Sequence, residues 1–273
     1  MTSQRQLAAW IHEKLHGDRD SLSHQWRNPQ GTHTRHLVVD DFLPAEICAR
    51  IYNSFPKNAG GFHNLDSFRE KKRTSVKLDE YEPILGAMTY ALQDQKVVDL
   101  IARIVGFEHI EPDPQLYAGG LSMMFRGDFL NPHLDNSHDA RRDRYRRLNL
   151  LYYASPDWVL ESGGNFELWD DARAIPKTVV ARANRLVVME TTKRSWHSVS
   201  PVQVDGPRCC VSNYYFSKIS PDGDEYFHVT SFAGRPEENF KRLVGRFDNA
   251  LRGLVSKTLK IGRGRHRIHR PKS

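Results

Sequence analysis

The chain has 273 residues, of which 39% are hydrophobic and 27% charged, with a formal net charge of +7. That length can bury a full core, and one large domain with embellishments is expected rather than two equal domains. The composition is that of an ordered chain except at its ends, and no apolar run reaches the roughly 18 residues that a membrane-spanning helix needs.

The charge is segregated. The segment 241–273 holds 11 Lys/Arg against one acid, Asp248, so it carries +10, and the remaining 29 bases and 32 acids leave the body at −3. Cys48, Cys209 and Cys210 form no disulfide framework, because adjacent strand residues point to opposite faces. Residues 1–17 are amphipathic and lack the apolar core of a secretory signal, so a reducing cytoplasm is the expected compartment.

In chain order, Leu7, Ala8, Ile11 and Leu15 recur at helical spacing up to Gly17. The polar, Pro/Gly-punctuated 17–34 reads as a loop, 36–40 as a short strand, and 44–54 as a helix with Ile47, Cys48 and Ile51 inward. The charged, Gly-containing 57–77 reads as a solvated loop or a cation-lined lid. A two-part helical pattern over 81–106 stops at Gly106. From Gln115 the period changes to that of strands, predicted at 116–125, 147–154, 165–169, 178–181, 186–190, 196–204 and 208–217. Seven short strands with turn signals between them predict a double-sheet antiparallel core of jelly-roll type, and helices preceding strands give class α+β. After Pro236, Phe240, Leu243, Val244, Phe247, Leu251, Leu254, Val255 and Leu259 form one helical stripe flanked by Arg246, Arg252, Lys257 and Lys260. The expected organisation is therefore one catalytic domain in three parts. Residues 1–112 form flanking helices and loops, 113–235 the β core, and 236–273 a basic amphipathic C-terminal helix and tail.

The candidate chemistry lies between Asn131 and Arg208. His133-Leu-Asp135 on an extended stretch places an imidazole and a carboxylate on one face, and His197 opens another strand. Two imidazoles and one carboxylate suit an octahedral Fe(II) held on one side, with other positions open to a bidentate 2-oxo acid and O2. Arg208, eleven positions after His197, can grip the distal carboxylate of such an acid in a fork. Taken singly, each of these residues has an ordinary structural role; their order on predicted strands carries the reading.

The stretch resembles the Fe(II)- and 2-oxoglutarate-dependent dioxygenases, in their prolyl 4-hydroxylase-like branch. The resemblance rests on Pro132-His133-Leu-Asp135, on Leu148-Asn-Leu-Leu-Tyr152-Tyr153 running to Asp157-Trp158, on Gly163-Gly164-Asn-Phe-Glu-Leu168, on Asn184-Arg185-Leu-Val-Val-Met and on His197-Ser-Val-Ser-Pro-Val202 with Arg208, and it covers 116–217. It implies a double-stranded β-helix, with His133, Asp135 and His197 as iron ligands and Arg208 as the 2-oxoglutarate anchor. Tyr153 matches a tyrosine that meets the same carboxylate, and Asn149, on the same strand face, is a second candidate. The implied cofactors are Fe(II), 2-oxoglutarate and O2, with ascorbate as accessory reductant. Met124 and Phe125 stand where many relatives have an aromatic hydroxyl, and Cys210 where many have Ser. Relatives that transfer halide lack the carboxylate, so Asp135 implies hydroxylation or desaturation. Asn136, His138, Arg141, Arg126 and Arg69 are candidates for the substrate side.

Three further stretches, at 113–122, 131–138 and 226–237, are similar to bacterial dioxygenases of surface-polysaccharide and lipopolysaccharide synthesis, among them Kdo 3-hydroxylases. This resemblance implies an anionic glycolipid substrate at the inner face of the inner membrane. The basic tail would meet lipid phosphates there, each Lys/Arg adding about 1 kcal/mol. The alternatives are a hydroxylase of an amino acid, peptidyl-proline or small natural product, and a non-enzymatic nucleic-acid binder. The last lacks an aromatic stacking platform beside the basic run.

Overall fold

The computed structural model describes residues 2–221 and 223–236. Helix α1 (Gln4–Gly17) starts where Ser3 Oγ accepts from the Gln6 amide and buries the expected stripe of Leu7, Ala8, Ile11 and Leu15. The segment 17–34 departs from the expected loop, because α2 (Arg19–Arg27) occupies half of it. Only Leu22 and Trp26 of this helix are buried. Two apolar residues at i, i+4 among polar ones are too weak a periodic signal to read locally, and packing supplies the rest. The Trp26 ring meets Phe107 edge-on at 5.7 Å.

Strand β1 (His36–Val39) and helix α3 (Ala45–Asn53) follow as expected. The segment 57–77 is a second departure. It contains a hairpin of β2 (His63–Asp66) and β3 (Glu70–Ser75). Its residues alternate little because most of them are exposed or half-buried. Helices α4 (Pro83–Ala91) and α5 (Gln95–Val105) realise the two-part pattern, and Gly106 ends it in the left-handed region at φ 69°. The remaining strands are β4 (Glu111–Pro112), β5 (Gly120–Met124), β6 (Phe129–Leu134), β7 (Tyr145–Tyr153), β8 (Phe166–Leu168), β9 (Lys177–Val179), β10 (Arg185–Glu190), β11 (His197–Val199), β12 (Arg208–Ser217) and β13 (Ser231–Phe232). Each of the seven strands expected after Gln115 is present. The C-terminal helix expected after Pro236 lies outside the described residues.

The strands form one curled antiparallel sheet in the order β1-β10-β7-β12-β5-β3-β6-β11-β8-β9, consistent with a jelly-roll core. Two apolar clusters lie on its two faces. On one, Leu148, Leu150, Tyr152, Leu186, Val188, Val211 and Tyr215 pack with the buried residues of α1 to α5. On the other, inside the curl, are Met124, Leu130, Tyr153, Phe166, Leu168, Val187, Met189, Val199 and Cys210. Asn184 ties the segment before α3 to the sheet on the helical face. Its side chain donates to Leu43 O at 2.6 Å and accepts from the Leu43 amide at 3.0 Å and from Tyr152 Oη at 3.1 Å.

Two bulges decide what faces the inside. Between the pairs His133↔His197 and Leu130↔Val199, three steps along β6 oppose two along β11. Leu130 is inside, so strict alternation would turn His133 out; the irregularity at Asn131-Pro132 turns it in. Between Tyr215↔Leu148 and Phe216↔Arg146, two steps along β7 oppose one along β12. Arg147 consequently lies over the Phe107 ring on the helical side, while Arg146 turns inward beside Tyr214.

Candidate active site

His133, Asp135 and His197 converge inside the curl. One ligand atom from each lies within 4.8 Å of the others, and all three residues are buried. The pairing of β6 with β11 places the two imidazoles side by side, with ring centroids 4.0 Å apart. Asp135 follows directly on β6, and its two oxygens approach His133 Nε2 at 3.6 Å and His197 Nε2 at 3.7 Å. Each imidazole is oriented from behind. His133 Nδ1 bonds Asn131 O at 3.0 Å, and His197 Nδ1 bonds Ser195 O at 2.9 Å. A carbonyl only accepts, so each Nδ1 carries the proton and each Nε2 presents a lone pair toward Asp135. This donor set fits a divalent metal ion with open coordination positions. Burial, with the neighbouring His133, lowers His197 to a pKa of about 3, which keeps it a neutral ligand. Burial alone would raise Asp135, but Arg146, His197 and His133 outweigh it and hold the carboxyl ionised.

Arg208 sits on β12, 3% exposed, with its guanidinium 4.7 Å from the Tyr153 ring. Among the described residues no carboxylate pairs with it. Nη1 reaches only the Met124 thioether, at 3.6 Å, and Nε has no partner. Tyr153 Oη and Asn149 Oδ1, both buried, also lack hydrogen-bond partners. A buried cation beside an unsatisfied phenol is costly without an anion, so Arg208 with Tyr153 fits the distal carboxylate of 2-oxoglutarate. Gly164 makes room for it: a Cβ there would lie 2.8 Å from Arg208 Cδ, and its φ is +61°. Arg208 and Tyr153 are thus brought together. Asn149 lies further along β7, opposite Tyr214. Burial raises the Tyr153 phenol well above its ordinary pKa, so it can donate a hydrogen bond.

Of the substrate-side candidates, Arg126 is exposed and bonds Asp205 at 2.8 Å, and Arg141 is exposed. Arg69 lies over the Phe68 ring. His138 is buried with its ring 4.3 Å from Tyr145, and Asn136 bonds its carbonyl. The residue that the sequence did not single out is Arg146. It is 1% exposed, approaches Asp135 Oδ2 at 3.3 Å, and stacks on Tyr214 at 3.9 Å. Its Nε and Nη2 have no hydrogen-bond partner. The Arg146-Arg147 doublet looks like any charged strand end, and without the bulge alternation assigns the wrong arginine to the inside.

Residues 119–216 match the family described as the 2OG-Fe(II) oxygenase superfamily. The chain is an enzyme of this oxygenase type, using Fe(II), 2-oxoglutarate and O2. Among solved structures, a prolyl-4-hydroxylase from Pseudomonas putida aligns with TM-score 0.51 at 17% identity, over 72% of this chain and 98% of that one. A prolyl hydroxylase from Trichoplax adhaerens, in complex with a hypoxia inducible factor peptide, aligns with TM-score 0.50 at 20% identity, over 74% and 92%. A prolyl 4-hydroxylase from Phytophthora capsici aligns with TM-score 0.51 at 16% identity, over 93% and 78%. At these identities the likeness is one of fold. No curated protein matches the sequence. No helix among the described residues is long and apolar enough to cross a membrane.

Proposed function

We propose that His133, Asp135 and His197 hold Fe(II), that Arg208 with Tyr153 and Asn149 holds 2-oxoglutarate, and that the enzyme hydroxylates an anionic substrate. The favoured substrate is a carboxylate-bearing sugar such as Kdo of a lipopolysaccharide precursor. When bound, iron with 2-oxoglutarate and O2 supplies the oxidation, releasing CO2 and succinate and delivering one oxygen atom to a substrate C–H bond. The chain's own contribution is to orient the ligands through the backbone carbonyls of Asn131 and Ser195, to bind the cosubstrate's far end at Arg208, and to exclude water.

The observation that carries the anionic substrate is the buried charge balance. A divalent ion and a dianionic cosubstrate cancel. Asp135 offsets one of the two arginines buried inside the curl, Arg146 and Arg208, and one positive charge remains there; the third buried arginine, Arg147, lies on the helical side over Phe107. The other acids of this region are engaged elsewhere: Asp128, Glu70, Glu167 and Asp139 are paired with Arg73, Lys72, Arg235 and Arg144, and Asp113 accepts from the Gln115 and Tyr117 amides, with burial raising its carboxyl pKa. Arg146, beside Asp135 with two nitrogens unpartnered, is where a substrate carboxylate would dock. The resemblance to Kdo-modifying dioxygenases and the basic segment 241–273 support a glycolipid presented at an anionic surface.

The test supplies purified enzyme, Fe(II) and 2-oxoglutarate with a Kdo-bearing lipid A precursor or with a prolyl peptide, and reads each by mass spectrometry. Gain of one oxygen on the Kdo residue is the expected result. Oxygen on the peptide alone would replace this reading with a peptidyl-proline hydroxylase.

A further inference from the structure

The segment 228–235 lies beyond the oxygenase match, which ends at residue 216. It runs across both strands that carry the imidazoles. At its start, His228 O accepts from the Ser137 amide at 3.0 Å, two residues beyond Asp135. Strand β13 then pairs antiparallel with the edge of β6, with Ser231 opposite Leu134 and Phe232 opposite His133. The Ala233 amide continues the ladder to Pro132 O at 2.7 Å. The Phe232 ring is 5% exposed and stacks on the His133 imidazole, 5.3 Å between centroids at 18°. At its end, Arg235 reaches the other ligand strand. Its Nη2 donates to Glu167 Oε2 at 2.6 Å and to Val199 O at 3.2 Å. Glu167 in turn accepts from Ser198 Oγ, the neighbour of His197, and Trp169 Nε1 closes the network on the same hydroxyl at 2.7 Å.

We infer that this strap is the device that holds the two ligand strands in metal-binding register, with Phe232 and Arg235 as positioning residues for His133 and His197. The inference rests on the triad reading. The physical reason is specific to this sheet. Strand β11 has three residues, and its ladder with β6 is broken by the bulge beside His133. A bulged ladder leaves the approach of the two imidazoles weakly determined. The strap supplies the missing constraint: an aromatic face that fixes the His133 ring plane, and a buried ion pair that anchors the chain to β8 and β11. Neither residue touches the metal; both act through the imidazoles, as outer partners of metal-bound histidines do.

The full chain is titrated with Co(II) under argon, following the ligand-field bands of the bound ion, and far-UV circular dichroism checks the fold of each variant. Phe232→Ala and Arg235→Ala are expected to bind Co(II) tenfold or more weakly, with altered band positions and an unchanged fold. Phe232→Tyr and Arg235→Lys are expected to recover most of the affinity. Affinity and bands within twofold of wild type in both alanine variants overturn the inference. His133→Ala separates the two readings. If it abolishes Co(II) binding while the strap variants leave binding intact, only the strap proposal fails. If it binds as wild type does, the triad reading fails too. Should an alanine variant unfold, Glu167→Gln, which keeps the side chain's volume and weakens the Arg235 anchor, is read the same way.

Discussion

Arg208→Met should make the 2-oxoglutarate-free protein more stable, not less. Arg208 is 3% exposed, has no carboxylate partner among the described residues, and meets only neutral groups, the Met124 thioether and the Tyr153 ring. A guanidinium in this state carries an uncompensated desolvation penalty of several kcal/mol. Met has a similar stem and can pack against Gly164, Val202 and Met124, so the change removes the penalty without opening a large void. Replacing buried charge by well-packed apolar side chains typically gains about 1–4 kcal/mol. At about 2–4 °C per kcal/mol for a chain of this size, the melting temperature should rise by roughly 2–16 °C. The cosubstrate reverses the order. At a hundred times its Kd, 2-oxoglutarate should stabilise the wild type by about 2.7 kcal/mol and leave Arg208→Met unmoved. Thermal and urea unfolding of both proteins with bound Ni(II), with and without 2-oxoglutarate, read the four states. A variant that loses 3 kcal/mol or so without cosubstrate, or that 2-oxoglutarate still stabilises, would falsify the argument that Arg208 is held for an anion.

Three further outcomes are expected. Gly164→Ala forces a Cβ to 2.8 Å from Arg208 Cδ and 3.0 Å from Val202 Cγ2 at a positive φ, so it should cost about 1–3 kcal/mol and weaken 2-oxoglutarate binding in calorimetry. Gly60→Ala, where nothing lies within 4 Å of the added atom and φ is not positive, is the control that should leave cosubstrate binding unchanged. Asn184→Ala removes a buried bridge between Leu43 and Tyr152, and chemical denaturation should show a loss of about 2–4 kcal/mol with little effect on metal affinity. His36 is buried against Thr34 O with its pKa lowered, first by burial, so the unfolded chain takes up a proton near pH 6.5 while the folded one does not. Its share of stability is therefore complete above that pH and declines as pH falls below it, by at most about 1.4 kcal/mol per pH unit. His36→Gln should flatten the dependence of melting temperature on pH between 7 and 5.5; an unchanged slope would remove His36 as a source.

The local chemistry was legible because it is carried by residue identity and order. A His-x-Asp, a later His and an Arg on strand-period segments need no knowledge of packing, and His133, Asp135 and His197 do come together, as do Arg208 and Tyr153. The helical stripes of α1, α4 and α5 were legible for the same reason: their buried faces repeat at 3.6 residues. Helix α2 and the β2–β3 hairpin were not, because their residues are mostly polar and their structure comes from what they pack against.

What the sequence by itself determined is which groups this protein owns: two imidazoles, a carboxylate, a cationic anchor and a charge-segregated end. What only the tertiary structure decided is which of them share a space. The bulge at Asn131-Pro132 turns His133 inward, and the bulge at Arg147 exchanges the faces of Arg146 and Arg147. A bulge is set by the pairing of two distant strands, so no local period announces it. The same holds for Phe232, 99 positions from His133 in the chain and stacked on its ring in the fold.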